Sequence, residues 1–220
     1  MSSTKAAKTV VQCDFDGTIT EEDMGYCLLE TFADGDWRQL VRRYREGEIS
    51  VNYFNTRAFA MVKADKKTVL KFVRNRARMR DGVHELVTYC RGRGFRFVIV
   101  SNGLDFYIKA LLRDIGMENI RVFAARTRFT PDGIETWYTG PDGNQLEDGF
   151  KEVYTRLFLS RGYRVVYVGN GISDISPARQ AHCIFATGEL VSYCKEAGID
   201  CIPFVNLHDV VRGLALLPPG

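Results

Sequence analysis

The sequence predicts an α/β protein: a parallel-sheet core with a small helical domain inserted after its first strand. Three observations predict it. From Asp81 onward, short apolar runs alternate with amphipathic stretches closed by glycine, the pattern of a sheet wound by right-handed crossovers with helices on both faces. Between about Glu22 and Arg78 the apolar spacing is helical, and no period-two alternation interrupts it. The first apolar run, Val10 to Cys13, leads into Asp14-Phe15-Asp16-Gly17-Thr18, where the Asp-Gly pair stops a buried strand and starts a turn.

The helical stretch divides by its caps. Asp23 to Phe32 carries Tyr26, Leu29 and Phe32 at helical spacing, and Asp36 caps a segment ended by Gly47. Ser50 caps a third, with Phe54, Ala58, Met61 and Val62 on one face, and Asp65 a fourth. A connection this long is no ordinary loop and reads as a cap over a site. Next come a helix from Val83 to Arg93, a strand from Phe95 to Val100, a helix from Leu104 to Ile115 and a strand from Ile120 to Ala124. Two Pro-Asp-Gly turns, at Pro131 and Pro141, flank β-formers at Ile134 to Thr139 and predict one or two hairpins. Helices at Phe150–Ser160, Ile175–Gln180, Glu189–Ala197 and Asp209–Leu216 alternate with strands at Arg164–Gly169, Cys183–Ala186 and Cys201–Phe204.

A chain of 220 residues and 25.0 kDa holds one good-sized domain, or a domain with an insert. Thirty basic against 27 acidic residues give a net charge of +3. That balance carries no polybasic signature for nucleic acid or a membrane. Arg74, Arg76, Arg78 and Arg80 alternate locally and read as a solvated helix end and loop. No run approaches the roughly 18 apolar residues of a membrane span, and Met1 to Lys8 lacks the apolar stretch of a signal peptide. The six cysteines show no CxxC spacing, which reads as reduced thiols of a cytoplasmic protein. No zinc site is expected, because adjacent His182 and Cys183 point to opposite faces of a strand.

Chemistry concentrates at strand ends. If extended geometry persists to Asp16, Asp14 and Asp16 share a face, at the end of an interior strand where open α/β sheets bind ligands. Two close carboxylates repel unless a cation or a shared proton relieves them, which suits a bound Mg²⁺. Ser101-Asn102-Gly103 follows an apolar strand and reads either as a helix cap or as a phosphate cradle. Lys151 opens a helix, against the macrodipole, as a solvated lysine or an anion contact. Gly169-Asn170-Gly171-Ile172-Ser173-Asp174 is a Gly-rich loop after a strand.

Taken in order, these four strings resemble the four motifs of the haloacid dehalogenase superfamily of phosphotransferases. The resemblance implies a Rossmann-like core, 1–20 and 80–220, with a C1-type helical cap, 21–79. It implies Mg²⁺ as cofactor. It makes Asp14 the nucleophile and Asp16 the general acid and base. Ser101, the Asn102 N–H and Lys151 then bind the phosphoryl oxygens. The metal ligands are drawn from Asp14, Asp16, Asn170 and Asp174, although the usual pattern has Asp where this chain has Asn170. An insert placed directly after the first motif is similar to the phosphoserine-phosphatase-like subgroup. Asp23, Gly47 with Ile49-Ser50, Leu104-Asp105-Phe106-Tyr107, Cys194, Gly198 and Pro203-Phe204 look most similar to the branch that dephosphorylates 2-hydroxy-3-keto-5-methylthiopentenyl-1-phosphate. In the subgroup an early cap acid, here Asp23, binds substrate. The helix comparable to its carboxylate-binding one offers Phe54, Ala58 and Met61, with Arg57 at the edge, which speaks against phosphoserine itself. The expectation is a phosphatase of a small phosphomonoester, as monomer or homodimer. The alternatives are a phosphoserine-phosphatase-like enzyme and a phosphometabolite binder whose turnover is weakened by Asn170.

Overall fold

The structure is a computed structural model and describes residues 8–217; the leader reading of Met1 to Lys8 falls almost wholly outside them. The first strand, β1 (Thr9–Cys13), is buried along its whole length. It lies between β2 (Arg96–Leu104) and β6 (Arg164–Gly169), parallel to both. With β3 (Arg121–Thr130), β4 (Gly133–Thr139), β5 (Gln145–Leu146), β7 (Cys183–Ala186) and β8 (Ile202–Pro203) the sheet order is β5-β4-β3-β2-β1-β6-β7-β8. The chain steps outward from β1 to β3, then returns to β6 on the other side. The carboxyl end of β1 is therefore the switch point of a doubly wound sheet, where a crevice opens.

The helical insert forms as its caps predict. These helices are α1 (Met24–Phe32), α2 (Trp37–Arg45), α3 (Val51–Phe59) and α4 (Lys66–Arg76). Asp23, Asp36, Ser50 and Asp65 each accept the backbone N–H three residues on, so each helix has a side-chain N-cap. The insert leaves and rejoins the core through one neck: Thr20 bridges Met79, Glu21 N–H donates to the Arg78 carbonyl at 2.9 Å, and Arg80 N–H to the Ile19 carbonyl at 2.7 Å. It closes on the core hairpins, with Ser50 Oγ donating to the Glu147 carbonyl at 2.9 Å and Asn52 Nδ2 to the Leu146 carbonyl at 3.2 Å. Gly133, at φ +131°, permits the closest approach, because a Cβ there would lie 2.0 Å from the Ala60 carbonyl oxygen.

The remaining helices are α5 (Val83–Gly92), α6 (Asp105–Asp114), α7 (Phe150–Ser160), α8 (Ile175–Arg179), α9 (Gly188–Glu196) and α10 (Leu207–Leu216). Two strands run past their predicted ends. β2 continues through Ser101 to Leu104, with a register shift against β3 between Val100 and Leu104. β3 continues into a hairpin with β4, turning at Pro131-Asp132. Both extensions gain pairing partners that sequence periodicity does not reveal. Among the described residues no helix is long and apolar enough to cross a membrane, all six cysteines are free, and no buried side-chain polar atom lacks a hydrogen-bond partner.

Candidate active site

The site is built where β1 ends. Strand pairing stops at Cys13, but Asp14 N–H still donates to the Val168 carbonyl at 2.9 Å, so its side chain follows the strand pleat and faces the same side as Gln12. That side is covered by the start of α7. Gln12 Nε2 donates to the Lys151 carbonyl at 3.0 Å, and Thr155 Oγ1 donates to Gln12 Oε1 at 2.9 Å. These bonds fix the first turn of α7 over Asp14. The chain then turns back, with the N–H groups of Thr18, Ile19 and Thr20 converging on the Phe15 carbonyl. Gly17 sits at φ +73°, and a Cβ there would lie 2.3 Å from Asn170 Nδ2, so only glycine suits both the turn and the approach.

Lys151 Nζ lies 2.8 Å from Asp14 Oδ2 and 2.7 Å from Asp174 Oδ1, and donates to Ser173 Oγ at 3.0 Å. Its side chain is 2 % exposed. The lysine is thus a buried ammonium clamped between two acids. Burial alone would lower its pKa; the Asp14 and Asp174 charges outweigh burial and hold it above its ordinary value.

Asp174, expected among the metal ligands, has both its oxygens engaged by protein donors. Its Oδ1 accepts from Lys151 Nζ and from Tyr167 Oη at 2.6 Å, and its Oδ2 accepts the N–H groups of Asn170 and Gly171 at 2.8 and 2.9 Å. Four donors fill its two oxygens. It is fully buried and absent from the pocket lining. It anchors Lys151 and the loop. Asn170 does line the pocket, and its amide oxygen accepts from Thr18 Oγ1 at 2.9 Å, which leaves one lone pair.

Asp16 faces the same cavity as Asp14, although the strand has ended before it. Met24 N–H donates to its Oδ1 at 3.2 Å and Tyr107 Oη to its Oδ2 at 2.6 Å. Asp23 caps α1 through Tyr26 N–H at 2.8 Å and also borders the cavity. Ser101 is buried there; its Oγ accepts Gly103 N–H at 3.1 Å, and its hydroxyl proton is free to donate. The Asn102 carbonyl accepts from Asn55 Nδ2 at 3.0 Å and Tyr138 Oη at 2.7 Å. The cap is thereby tied to the loop beside the cavity.

Burial dominates the carboxyl groups. It pushes Asp14 from its ordinary 3.8 up to about 6, against the pull of Lys151. It holds Asp16 well above its ordinary value, helped by the Asp23 charge and opposed by the Tyr107 hydrogen bond. Asp23 is raised as well, chiefly by burial. Asp14, Asp16, Asp23 and Asp174 thus face a single ammonium, Lys151. A buried excess of negative charge is what a divalent cation relieves. Among the described residues no three His, Cys, Asp or Glu side chains converge as a ready metal cluster.

The cavity holds about 90 Å³. At roughly 10–15 Å³ per water on this measure, it suits a phosphoryl group with a short chain. Its cap side is apolar and aromatic: Tyr26, Leu29, Tyr44, Phe54 and Phe59. Lys151 is the sole cation among the described lining residues. Arg57 is exposed and rests on the Tyr53 ring, 5.3 Å from its centroid.

Sequence reasoning missed several supports. Tyr167 and Asn55 read as ordinary strand and helix positions, and Tyr107 stood only within a string that resembles the family's, with no role given to it. Arg80 read as solvated, but its guanidinium donates to the Gly17 and Thr18 carbonyls at 2.8 Å each and to the Val205 carbonyl at 2.9 Å, bracing the turn after the acids. Its two-residue spacing from Arg78 gives no sign of this. Arg74 and Arg76 keep to surface pairs with Asp114 and Glu22.

A doubly wound sheet with paired acids, a buried lysine and a hydroxyl at its switch point defines a hydrolase of phosphoric monoesters. The family model for haloacid dehalogenase-like hydrolases matches residues 11–179. The chain is 32% identical over 211 residues to the 2-hydroxy-3-keto-5-methylthiopentenyl-1-phosphate phosphatase of Geobacillus kaustophilus, covering 93% of this chain and 94% of that protein. It is 30% identical to the enzyme of the same name from Bacillus velezensis, covering 93% and 89%. A solved phosphoserine phosphatase, described as a phospho-aspartyl intermediate analogue, superposes with a TM-score of 0.67 at 18% identity, covering 94% of this chain and 99% of that one. The chain belongs to the haloacid dehalogenase-like hydrolase family.

Proposed function

We propose that this chain is a Mg²⁺-dependent phosphatase of a small phosphomonoester with an apolar leaving group, of the 2-hydroxy-3-keto-5-methylthiopentenyl-1-phosphate type. The observation that carries the reading is the cavity itself. Its floor joins Asp14, Lys151, Ser101 and Asp16, and its roof is aromatic, with no second cation among the described lining residues. A phosphoserine carboxylate would meet no guanidinium there, while a methylthio chain would bury against Leu29, Phe54 and Phe59.

The steps follow from the contacts. The Asp14 carboxylate attacks phosphorus as the ester P–O bond breaks, and Asp16 gives its proton to the departing oxygen. Water then attacks the phospho-aspartate, Asp16 takes back a proton, and inorganic phosphate leaves with Asp14 restored. Lys151, Ser101 and the Asn102 N–H hold the equatorial oxygens through both transfers. Asp14, the Asp16 carbonyl oxygen and Asn170 would hold Mg²⁺, which supplies charge neutralisation at the phosphoryl group. Residues 21–79 act as the cap, hinged at the Thr20–Met79 neck, and exclude water over the reacting atoms. The free thiols fit a cytoplasmic setting.

The test is a panel of phosphorylated metabolites with Mg²⁺, including the methylthio ester, phosphoserine and an aryl phosphate. The reading expects kcat/KM to be highest on the methylthio ester and turnover to vanish in Asp14→Asn. Preference for phosphoserine would overturn the substrate. Tight binding without turnover would favour the non-catalytic role suggested by Asn170.

A further inference from the structure

We infer that Tyr107 is the positioning residue for Asp16, and that its hydroxyl makes the enzyme competent on esters whose leaving oxygen must be protonated. This rests on the reading of Asp16 as general acid given above. The Asp16 carboxyl is held from two elements. Met24 N–H, at the start of α1, donates to one oxygen, and Tyr107 Oη, on α6, donates to the other at 2.6 Å. Tyr107 is fully buried, and its ring packs edge-on against Phe106, with centroids 5.5 Å apart. The hydroxyl is therefore fixed by packing, not only by the bond it makes.

Gly103 shows how closely this pair is fitted. A Cβ at Gly103 would lie 2.0 Å from Asp16 Oδ2 and 2.4 Å from Tyr107 Oη. The backbone of β2 thus leaves room for one thing: the meeting of this hydroxyl with this carboxyl. Met24 N–H, at 3.2 Å, is the longer of the two restraints. Without the hydroxyl, the carboxyl can turn about its χ torsions within the cavity, and the oxygen that carries the proton no longer stays on the ester oxygen. Misplacement by a fraction of the bond length is costly in proton transfer.

The consequence depends on the leaving group. An alkoxide must receive a proton as the P–O bond breaks, and that proton comes from Asp16. A nitrophenolate departs without one. Asp16 also takes a proton from the water that opens the phospho-aspartate, a step shared by both esters, so Tyr107 should separate them in the first transfer, which kcat/KM reads: a large loss on alkyl phosphates and a small one on p-nitrophenyl phosphate. A purely structural role would lower both together.

The experiment compares the parent, Tyr107→Phe, Asp16→Asn and the double variant on an alkyl phosphate and on p-nitrophenyl phosphate, with circular dichroism on each. Tyr107→Phe removes one oxygen and keeps the ring, so the fold is expected to persist. On the alkyl ester its kcat/KM should fall by about tenfold or more, within the general-acid range. On the aryl ester the loss in kcat/KM should stay within about threefold. In the Asp16→Asn background the second change should cost nothing further on the alkyl ester, since the hydroxyl acts through the carboxyl. Equal losses on both esters, or additive losses in the double variant, would overturn the inference. A parent inactive on every phosphate would overturn the proposed function instead. Should Tyr107→Phe unfold, 3-fluorotyrosine at position 107 keeps the ring and the bond geometry while making the hydroxyl a stronger donor to Asp16, and an unaltered alkyl-to-aryl ratio in kcat/KM would also refute the role.

Discussion

Replacing Asp174 by Asn tests the reassignment of that residue from metal ligand to anchor. The carboxylate accepts four bonds, two on each oxygen. An amide offers one acceptor oxygen and one NH₂ group, so two of the four donors must face another donor. If the NH₂ faces Lys151 and Tyr167, the ammonium keeps only Asp14. If it faces the loop, the Asn170 and Gly171 N–H groups are orphaned. Breaking one side of a buried ion pair costs about 3–5 kcal/mol, and the low end applies because Asp14 remains at 2.8 Å. For a chain of this size about 3 kcal/mol lowers Tm by roughly 6–12 °C. Calorimetry on parent and Asp174→Asn measures the shift, and a double-mutant cycle with Lys151→Met assigns it. The activity losses should be strongly non-additive, because Asp174 acts through Lys151. A Tm shift below about 2 °C, or additive losses in activity, would refute the reasoning.

Three further predictions concern charge and shape. Asn170→Asp should lower the Mg²⁺ concentration for half-maximal activity by roughly tenfold to a hundredfold, as expected for about 1–3 kcal/mol from one added carboxylate; intact mass must verify both proteins, since Asn170-Gly171 is prone to deamidation, and an unchanged requirement would place the loop away from the metal. In chelated protein, the shift of Asp14 from 3.8 to about 6 means that the native state binds the proton more tightly than the unfolded chain. Stability from this group is therefore present below pH 4 and lost as pH rises through about 6, on the order of 3 kcal/mol. Melting curves from pH 4.5 to 7.5 should fall more steeply for the parent than for Asp14→Asn, and parallel slopes would contradict the buried-acid account. Phe54→Ala, which opens the apolar roof, should cost about 3–5 kcal/mol in stability and raise KM for a methylthio ester more than Ki for inorganic phosphate; equal changes would mean that the ring only supports the cap.

Much of the molecule was legible in the sequence because its signals are local. A cap such as Ser50 meets Tyr53 N–H three residues away, and the spacing needed to recognise it lies within one turn. The Val10–Cys13 strand and its Asp-Gly stop are likewise written in adjacent residues. Pairings that span the chain were not legible. Lys151 reads as a surface lysine until Gln12 draws the start of α7 across β1, and only then does burial turn its charge into a clamp on Asp14. Arg80 reads as one of four alternating arginines, yet it alone has the Gly17 and Thr18 carbonyls within reach.

Asp174 shows why the sequence alone does not separate a metal ligand from an anchor. A motif gives the order of residue types along the chain, and at this loop an acid is needed for either role, ligand or anchor. What separates the roles is the number of donors that reach each oxygen. Tyr167 comes from the preceding strand, Lys151 from a helix on the sheet face, and the two N–H groups from the loop itself. Only the last pair is encoded nearby. Once all four are in place, both oxygens of the carboxylate are taken by donors, and its charge acts on Asp14 through the lysine that it holds.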